Sequence, residues 1–163
     1  ATVCLPNGAP KCEICPARTV CEAYKNGLTE VLPVRAKKKS RRVEERTVLL
    51  LFQGRKVALR KRPDTGLLAG LWEYPNLPES LDEAGALLAL AQMGLSAESI
   101  APAGSAKHIF THIEWHQSGY FLTVPEQPAP AGCVWAGKEQ LEAAYTLPGA
   151  FKAYKKLLLT KLL

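Results

Sequence analysis

Cys4, Cys12, Cys15 and Cys21 place four of the chain's five thiols within its first 21 residues. The gaps between them are seven, two and five residues, and the intervening Leu5, Pro6, Asn7, Gly8, Ala9, Pro10 and Pro16 are rich in turn formers that let a chain curl around a point. Three chemistries suit such a loop. Two disulfides would staple a small secreted domain, yet no apolar leader is visible, and 163 residues with 47% hydrophobic content can bury a core without staples. Structural zinc favours two Cys-x2-Cys knuckles set apart by a longer insert, whereas here one such pair, Cys12 and Cys15, is flanked by single cysteines. An iron-sulfur cubane presents four iron corners spread wider than four bonds to one ion, and a compact run with one close pair can reach them all.

Charge is divided unevenly along the chain. Residues 1–62 hold 15 Lys and Arg against five Asp and Glu, while residues 63–163 hold six against ten. The first part therefore suits a polyanion. Its densest stretch is Arg35, Lys37, Lys38, Lys39, Arg41, Arg42 and Arg46, opposed by Glu44 and Glu45 alone. Such a run serves as a solvated linker, and beside a cysteine loop it can also follow phosphates, an attraction that salt weakens steeply.

The elements that must position these groups follow from patterning. Residues 1–27 form the cysteine loop and residues 28–42 a basic linker, which leaves residues 43–163 as a domain of ordinary size. Val43 to Phe52 is predicted as a strand whose continuous run Val48, Leu49, Leu50, Leu51, Phe52 is buried on both faces. Gln53 and Gly54 turn the chain into a return strand, Lys56 to Arg62, with Val57 and Leu59 inward. Leu71 to Tyr74 is a short strand that Pro75 ends. A helix follows, capped by Ser80 and Glu83, striped by Leu81, Leu87, Leu88 and Leu90, and stopped at Gly94. Gly104 to Val124 alternates as two strands, and the chain closes with helices over Glu139 to Tyr145 and Ala150 to Leu162, the latter facing inward through Phe151, Tyr154, Leu157, Leu158 and Leu162. The class is α+β, a mixed sheet with flanking helices. No apolar stretch approaches the roughly 20 residues that span a bilayer as a helix.

The order and lengths of these elements resemble the Nudix fold. The hydrolase signature of that fold needs carboxylates on one helix to hold magnesium against a diphosphate. With its closing glycine set on Gly94, the metal positions fall on Leu88, Ala91 and Gln92, which cannot bind magnesium. A Nudix-like shell used for binding is the expectation; a pyrophosphohydrolase acting on oxidised nucleotides and a zinc-bearing interaction module are the alternatives.

Taken together, the cysteine loop, Leu32-Pro33-Val34 with its basic run, Arg62 followed by Gly66 to Pro75, Phe110-Thr111-His112, and Leu147 to Phe151 resemble the carboxyl-terminal portion of MutY-type adenine DNA glycosylases. The cluster loop of that group has gaps of six, two and five, so the first gap here is one residue longer, within a Pro-Asn-Gly-Ala-Pro stretch able to absorb it. The resemblance implies a [4Fe-4S] cluster on Cys4, Cys12, Cys15 and Cys21, with Lys11, Arg18 and Lys25 near DNA phosphates and Lys37, Lys38, Lys39, Arg41, Arg42 and Arg62 as further contacts. It implies removal of adenine mispaired with 8-oxoguanine, with Phe110 wedged at a base step, Thr111 reading the guanine edge and His112 beside it. A hydroxyl both donates and accepts, so Thr111 can answer the N7 that becomes a donor in the oxidised base.

The resemblance places the catalytic carboxylates in a helical domain upstream of the cysteine loop. Met93 is the only methionine and the chain opens on Ala1, three positions before Cys4, so the chain reads as the back portion of a larger protein. That parent is expected to be a monomer and cytoplasmic, nucleoid-associated in a bacterium. Alone the chain is expected to cleave nothing. His108, His112 and His116 recur every four residues and are expected on one side of a strand, facing solvent or DNA; Cys133 is expected as a small buried residue, and the Gly66 to Pro75 loop as packed on the sheet with Trp72 in the core.

Overall fold

The computed structural model describes residues 2–5, 8–34 and 40–161. The chain divides into two compact units, Ala1–Ser40 and Arg41–Leu163. The first unit carries two single-turn 3-10 helices, Cys12–Ile14 and Arg18–Val20, and a one-turn helix α1 (Glu22–Lys25). Residues 28–33, read from sequence as linker, close back on it: Leu28 N–H donates to the Ala23 carbonyl at 2.8 Å and Leu32 N–H to the Leu28 carbonyl at 2.9 Å. None of its described residues is buried.

The second unit is a seven-stranded mixed sheet with helices on both faces. Its strands are β1 (Arg42–Gln53), β2 (Lys56–Lys61), β3 (Trp72–Glu73), β4 (Asn76–Leu77), β5 (Ser99–Ile109), β6 (Ile113–Thr123) and β7 (Cys133–Gly137). The order is β3-β2-β1-β6-β5, with β4 on β1 and β7 on β2; β1 and β6 run parallel and the other pairs antiparallel. The apolar run behaves as its composition requires, because strand alternation sends Val48, Leu50 and Phe52 to one face and Leu49 and Leu51 to the other. On the first face they meet Trp115, Phe151, Tyr154 and Leu158, brought by β6, a 3-10 turn at Gly149–Phe151 and helix α4 (Lys152–Lys161). On the second they meet Leu122, Val124 and, from helix α2 (Glu83–Gln92), Ala86 and Leu90. Each such aliphatic or aromatic side chain contributes about 1.5–3 kcal/mol through its burial.

Several expectations shift in detail. Asp82, not Ser80, caps α2, its carboxylate accepting from Gly85 N–H at 2.8 Å. Its buried stripe is Ala86, Ala89 and Leu90, while Leu87 and Leu88 face solvent. The strand expected from Gly104 begins at Ser99, with a register shift between Pro102 and Gly104 where Gly104 takes φ +83°. The two edge strands β4 and β7 were not anticipated, since two residues are too few to show a period and β7 follows a Pro130-Ala131-Gly132 break. All of Val57, Ala58 and Leu59 are buried, because β7 covers β2 on its outer edge and both faces are packed. Helix α3 (Lys138–Ala143) and α4 form where expected; Leu157 is exposed, and Leu162 lies outside the described residues.

Gly119 sits on β6 directly under Tyr154, and a Cβ there would overlap the ring. Gly119→Ala is expected to destabilise this unit by about 1–3 kcal/mol, the cost of overpacking a filled core. Chemical denaturation checks it; an unchanged midpoint contradicts the packing described.

Candidate nucleic-acid interface and cysteine cavity

β5 and β6 form a hairpin that closes on Phe110, Thr111 and His112. Phe110 N–H donates to the Ile113 carbonyl at 2.8 Å, and the His112 carbonyl accepts from Arg42 N–H at 3.1 Å, which ties the turn to the start of β1. The Phe110 ring is half-buried, meeting Trp115 edge-on at 4.9 Å between centroids and His108 at 4.6 Å. Thr111 and His112 are exposed. The turn is thus anchored by its aromatic and presents its two polar members to solvent.

The histidines do not share one side. The hairpin reverses the chain inside their four-residue repeat, so His108 lies opposite Trp115, His116 lies opposite Lys107 on the other face, and His112 stands in the turn. His116 Nε2 meets Glu114 at 2.7 Å and its Nδ1 meets Glu45 at 3.5 Å. Lys107, then His116, hold the Glu114 carboxyl below the usual carboxylate range.

Behind the turn, buried Trp115 brings together Glu44 and Arg46. Its Nε1 donates to Glu44 Oε2 at 3.0 Å, and Arg46 stacks on its ring at 4.1 Å while donating to Glu44 Oε2 at 3.2 Å and Asn76 Oδ1 at 2.9 Å. Burial by itself would raise the Glu44 carboxyl, but the hydrogen bonds from Arg46, Trp115 and Arg42 outweigh it and hold the group below its ordinary value. Arg46, counted with the basic run, is therefore turned inward.

Arg62 is a correction of the same kind. Its side chain is 15% exposed, its Nε donates to the Leu67 carbonyl at 2.9 Å, and its Nη1 pairs with Glu73, a carboxylate 2% exposed that Arg60 also holds at 2.8 Å. A buried carboxylate needs such partners, so Arg62 supports the sheet and the Gly66 to Pro75 loop instead of meeting phosphates. Trp72 packs against Tyr145 at 4.6 Å as the packing expectation had it. Cys133 is half-buried on β7, where burial pushes its thiol up and Arg60 partly offsets the rise.

What remains at the turn is a solvent-facing rim. The Arg42 side chain is 72% exposed and shares Glu44, and exposed Arg41 has no side-chain partner among the described residues. Lys37, Lys38 and Lys39 lie outside the described residues.

In the first unit, Cys4, Cys12, Cys15 and Cys21 all line one cavity of about 510 Å³, with Val3, Leu5, Pro10, Leu32 and Pro33 supplying apolar wall. The local folding is explicit: Cys15 N–H bonds the Cys12 carbonyl, Arg18 N–H the Cys15 carbonyl and Lys25 N–H the Cys21 carbonyl. All four thiols are free. Among the described residues no three His, Cys, Asp or Glu converge as a single metal ion would require, since a zinc-sulfur bond is only about 2.3 Å long. Four thiols on one cavity form a soft donor set of the kind that iron-sulfur clusters and zinc both accept. Lys25 pairs with Glu22 at 3.0 Å and Arg18 stacks on Tyr24 at 4.7 Å, while Lys11 is exposed.

Glu44→Gln tests the clamp under the turn. Because the folded carboxyl lies below the unfolded value of 4.5, its contribution is complete above that value and lost as pH falls through the folded value. The variant is expected to lose about 1–3 kcal/mol at pH 7 and to show a flatter acid limb in thermal melts as pH falls below 4.5. An acid limb identical to the parent's contradicts the assignment.

Relatives agree with this architecture. The chain is 30% identical to the adenine DNA glycosylase of Mus musculus over 86% of its own length and 37% of the relative's, and 29% identical to that of Homo sapiens over 93% and 30%. It thus spans about a third of the length of these curated relatives. The crystal structure of the C-terminal domain of mouse MUTYH in complex with human PCNA superposes with a TM-score of 0.59 at 26% identity, covering 72% of this chain and 89% of that one. With a NUDIX domain model matched over residues 47–157, the chain belongs to the NUDIX domain family.

Proposed function

We propose that this chain is the carboxyl-terminal part of an adenine DNA glycosylase that removes adenine opposite 8-oxoguanine, its NUDIX unit reading the lesion strand and its cysteine unit holding a [4Fe-4S] cluster. The observation that carries the reading is the Phe110-Thr111-His112 turn, braced by Trp115 and hydrogen-bonded to Arg42, in a domain similar to the C-terminal domain of mouse MUTYH. α2 supports a binding role over hydrolysis. It presents Leu88, Ala91 and Gln92 to solvent at the positions where a hydrolase of this fold needs carboxylates.

In this reading Thr111 Oγ1 accepts the hydrogen that N7 of 8-oxoguanine carries and that of guanine lacks, Phe110 supports the base step, and Arg41 and Arg42 hold adjacent phosphates. Cleavage of the glycosidic bond belongs to residues outside this chain. Cys4, Cys12, Cys15 and Cys21 would hold the cluster, which when bound supplies a structural staple. Such a staple suits a unit in which none of the described residues is buried and Ile14, Val20, Val31 and Val34 are exposed. Those apolar side chains also suit burial against a neighbouring catalytic domain.

Thr111→Ala in the full-length protein is expected to cut the preference for 8-oxoguanine over guanine duplexes by up to about tenfold, the size of one hydrogen bond, while Thr111→Ser keeps it. Equal discrimination by all three proteins removes Thr111 from the site. Anaerobically prepared protein should contain iron and acid-labile sulfide, and Cys12→Ala should lose both; zinc without iron would overturn the cluster.

A further inference from the structure

A second basic feature lies away from the linker. Along the sheet edge, β5 and the start of α4 enclose a groove of about 600 Å³ lined by Lys107, His108, Gly149, Lys152, Lys155 and Lys156 among others, with no Asp or Glu in its wall. We propose that this groove carries the sugar-phosphate backbone of the DNA strand whose base lies at the Phe110-Thr111-His112 turn. The proposal rests on the DNA-binding reading above and adds a second contact surface to it.

Three observations point there. Lys152 and Lys156 are exposed, stand one helical turn apart, and have no ion-pair partner among the described residues. Like charges at that spacing repel, and the amino-terminal end of a helix repels cations further, yet α4 has no acidic residue in its first turn to offset either effect. A bound polyanion reverses both penalties. Second, β5 is the edge of the sheet, pairing with β6 alone, so one row of its main-chain groups has no strand partner. Third, the groove is continuous with the turn: His108 lines it and also packs on Phe110, and a strand rise of about 3.4 Å per residue sets Thr111 within about 10 Å of it. Not every cation takes part. Lys107 is tied to Glu114 and Lys155 donates to the Leu141 carbonyl at 3.1 Å, which leaves Lys152 and Lys156 as the free pair.

The test is the salt dependence of binding by this chain to matched fluorescent duplexes with and without 8-oxoguanine. Lys152→Glu/Lys156→Glu is expected to weaken both duplexes equally by at least tenfold and to make the slope of log K against log salt shallower by about 1.8, with lesion preference intact. Lys152→Arg/Lys156→Arg should bind as the parent does. Should the acidic double variant unfold, Lys152→Gln/Lys156→Gln replaces it with the same expected fall in slope. Parent-like affinity and slope in the folded Glu or Gln variant overturn the groove while leaving the turn untouched. Failure of the parent to bind either duplex, or capture of a polyglutamate peptide in preference to duplex, overturns the DNA reading as well.

Discussion

Parallel pairing of β1 with β6 is the constraint on which the second unit depends. Its register runs unbroken from Arg42 opposite Ile113 to Phe52 opposite Thr123. That register fixes three things at once. It lines up the apolar run of β1 with both helical layers, it sets Glu44 and Arg46 beside Trp115, and it lays the first residue of β1 against the hairpin turn. The turn is therefore held between the edge hairpin and the start of β1 and is not a free loop, since the His112 carbonyl accepts from Arg42 N–H. Support of this kind gives the proposed recognition turn the rigidity that reading one atom of a base demands.

The arginines then divide by role. Arg46, Arg60 and Arg62 spend their donors on Glu44, Glu73 and Asn76 inside or at the margin of the unit, where removing a partner would strand a desolvated carboxylate. Arg41 and Arg42 remain outward. Net charge thus overstates what is offered to a polyanion, and the location of each guanidinium decides which contribute. The same logic sets the cysteine unit apart: its four thiols share a cavity while its apolar side chains are exposed, the reverse of a domain that stabilises itself by burial.

How far this was legible in sequence follows from the range of each interaction. The hairpin at Gln53-Gly54 and the doubly buried run of β1 are local patterns, and each stands where it was expected. The partner of β1 lies about 70 residues downstream, and no local period reports it. The inward turn of Arg46 depends on that pairing, which sets Trp115 against its guanidinium, and that of Arg62 on the β2–β3 pairing that brings Glu73 beside it; neither shows in a local period. The histidine spacing misled because a hairpin reverses direction within it. Ser80 misled because Asp82, two residues on, is an equally good cap.

The central claim is that the hairpin turn and the start of β1 act as one recognition edge. Amide chemical-shift mapping of the isotopically labelled chain against a duplex with 8-oxoguanine opposite adenine tests it most directly. The account expects the amides of Thr111, His112, Arg41 and Arg42 to shift together, more with the lesion than with guanine, while those of Leu88 and Gln92 on α2 stay still. Shifts centred on α2, or none at the turn under saturating duplex, would contradict it.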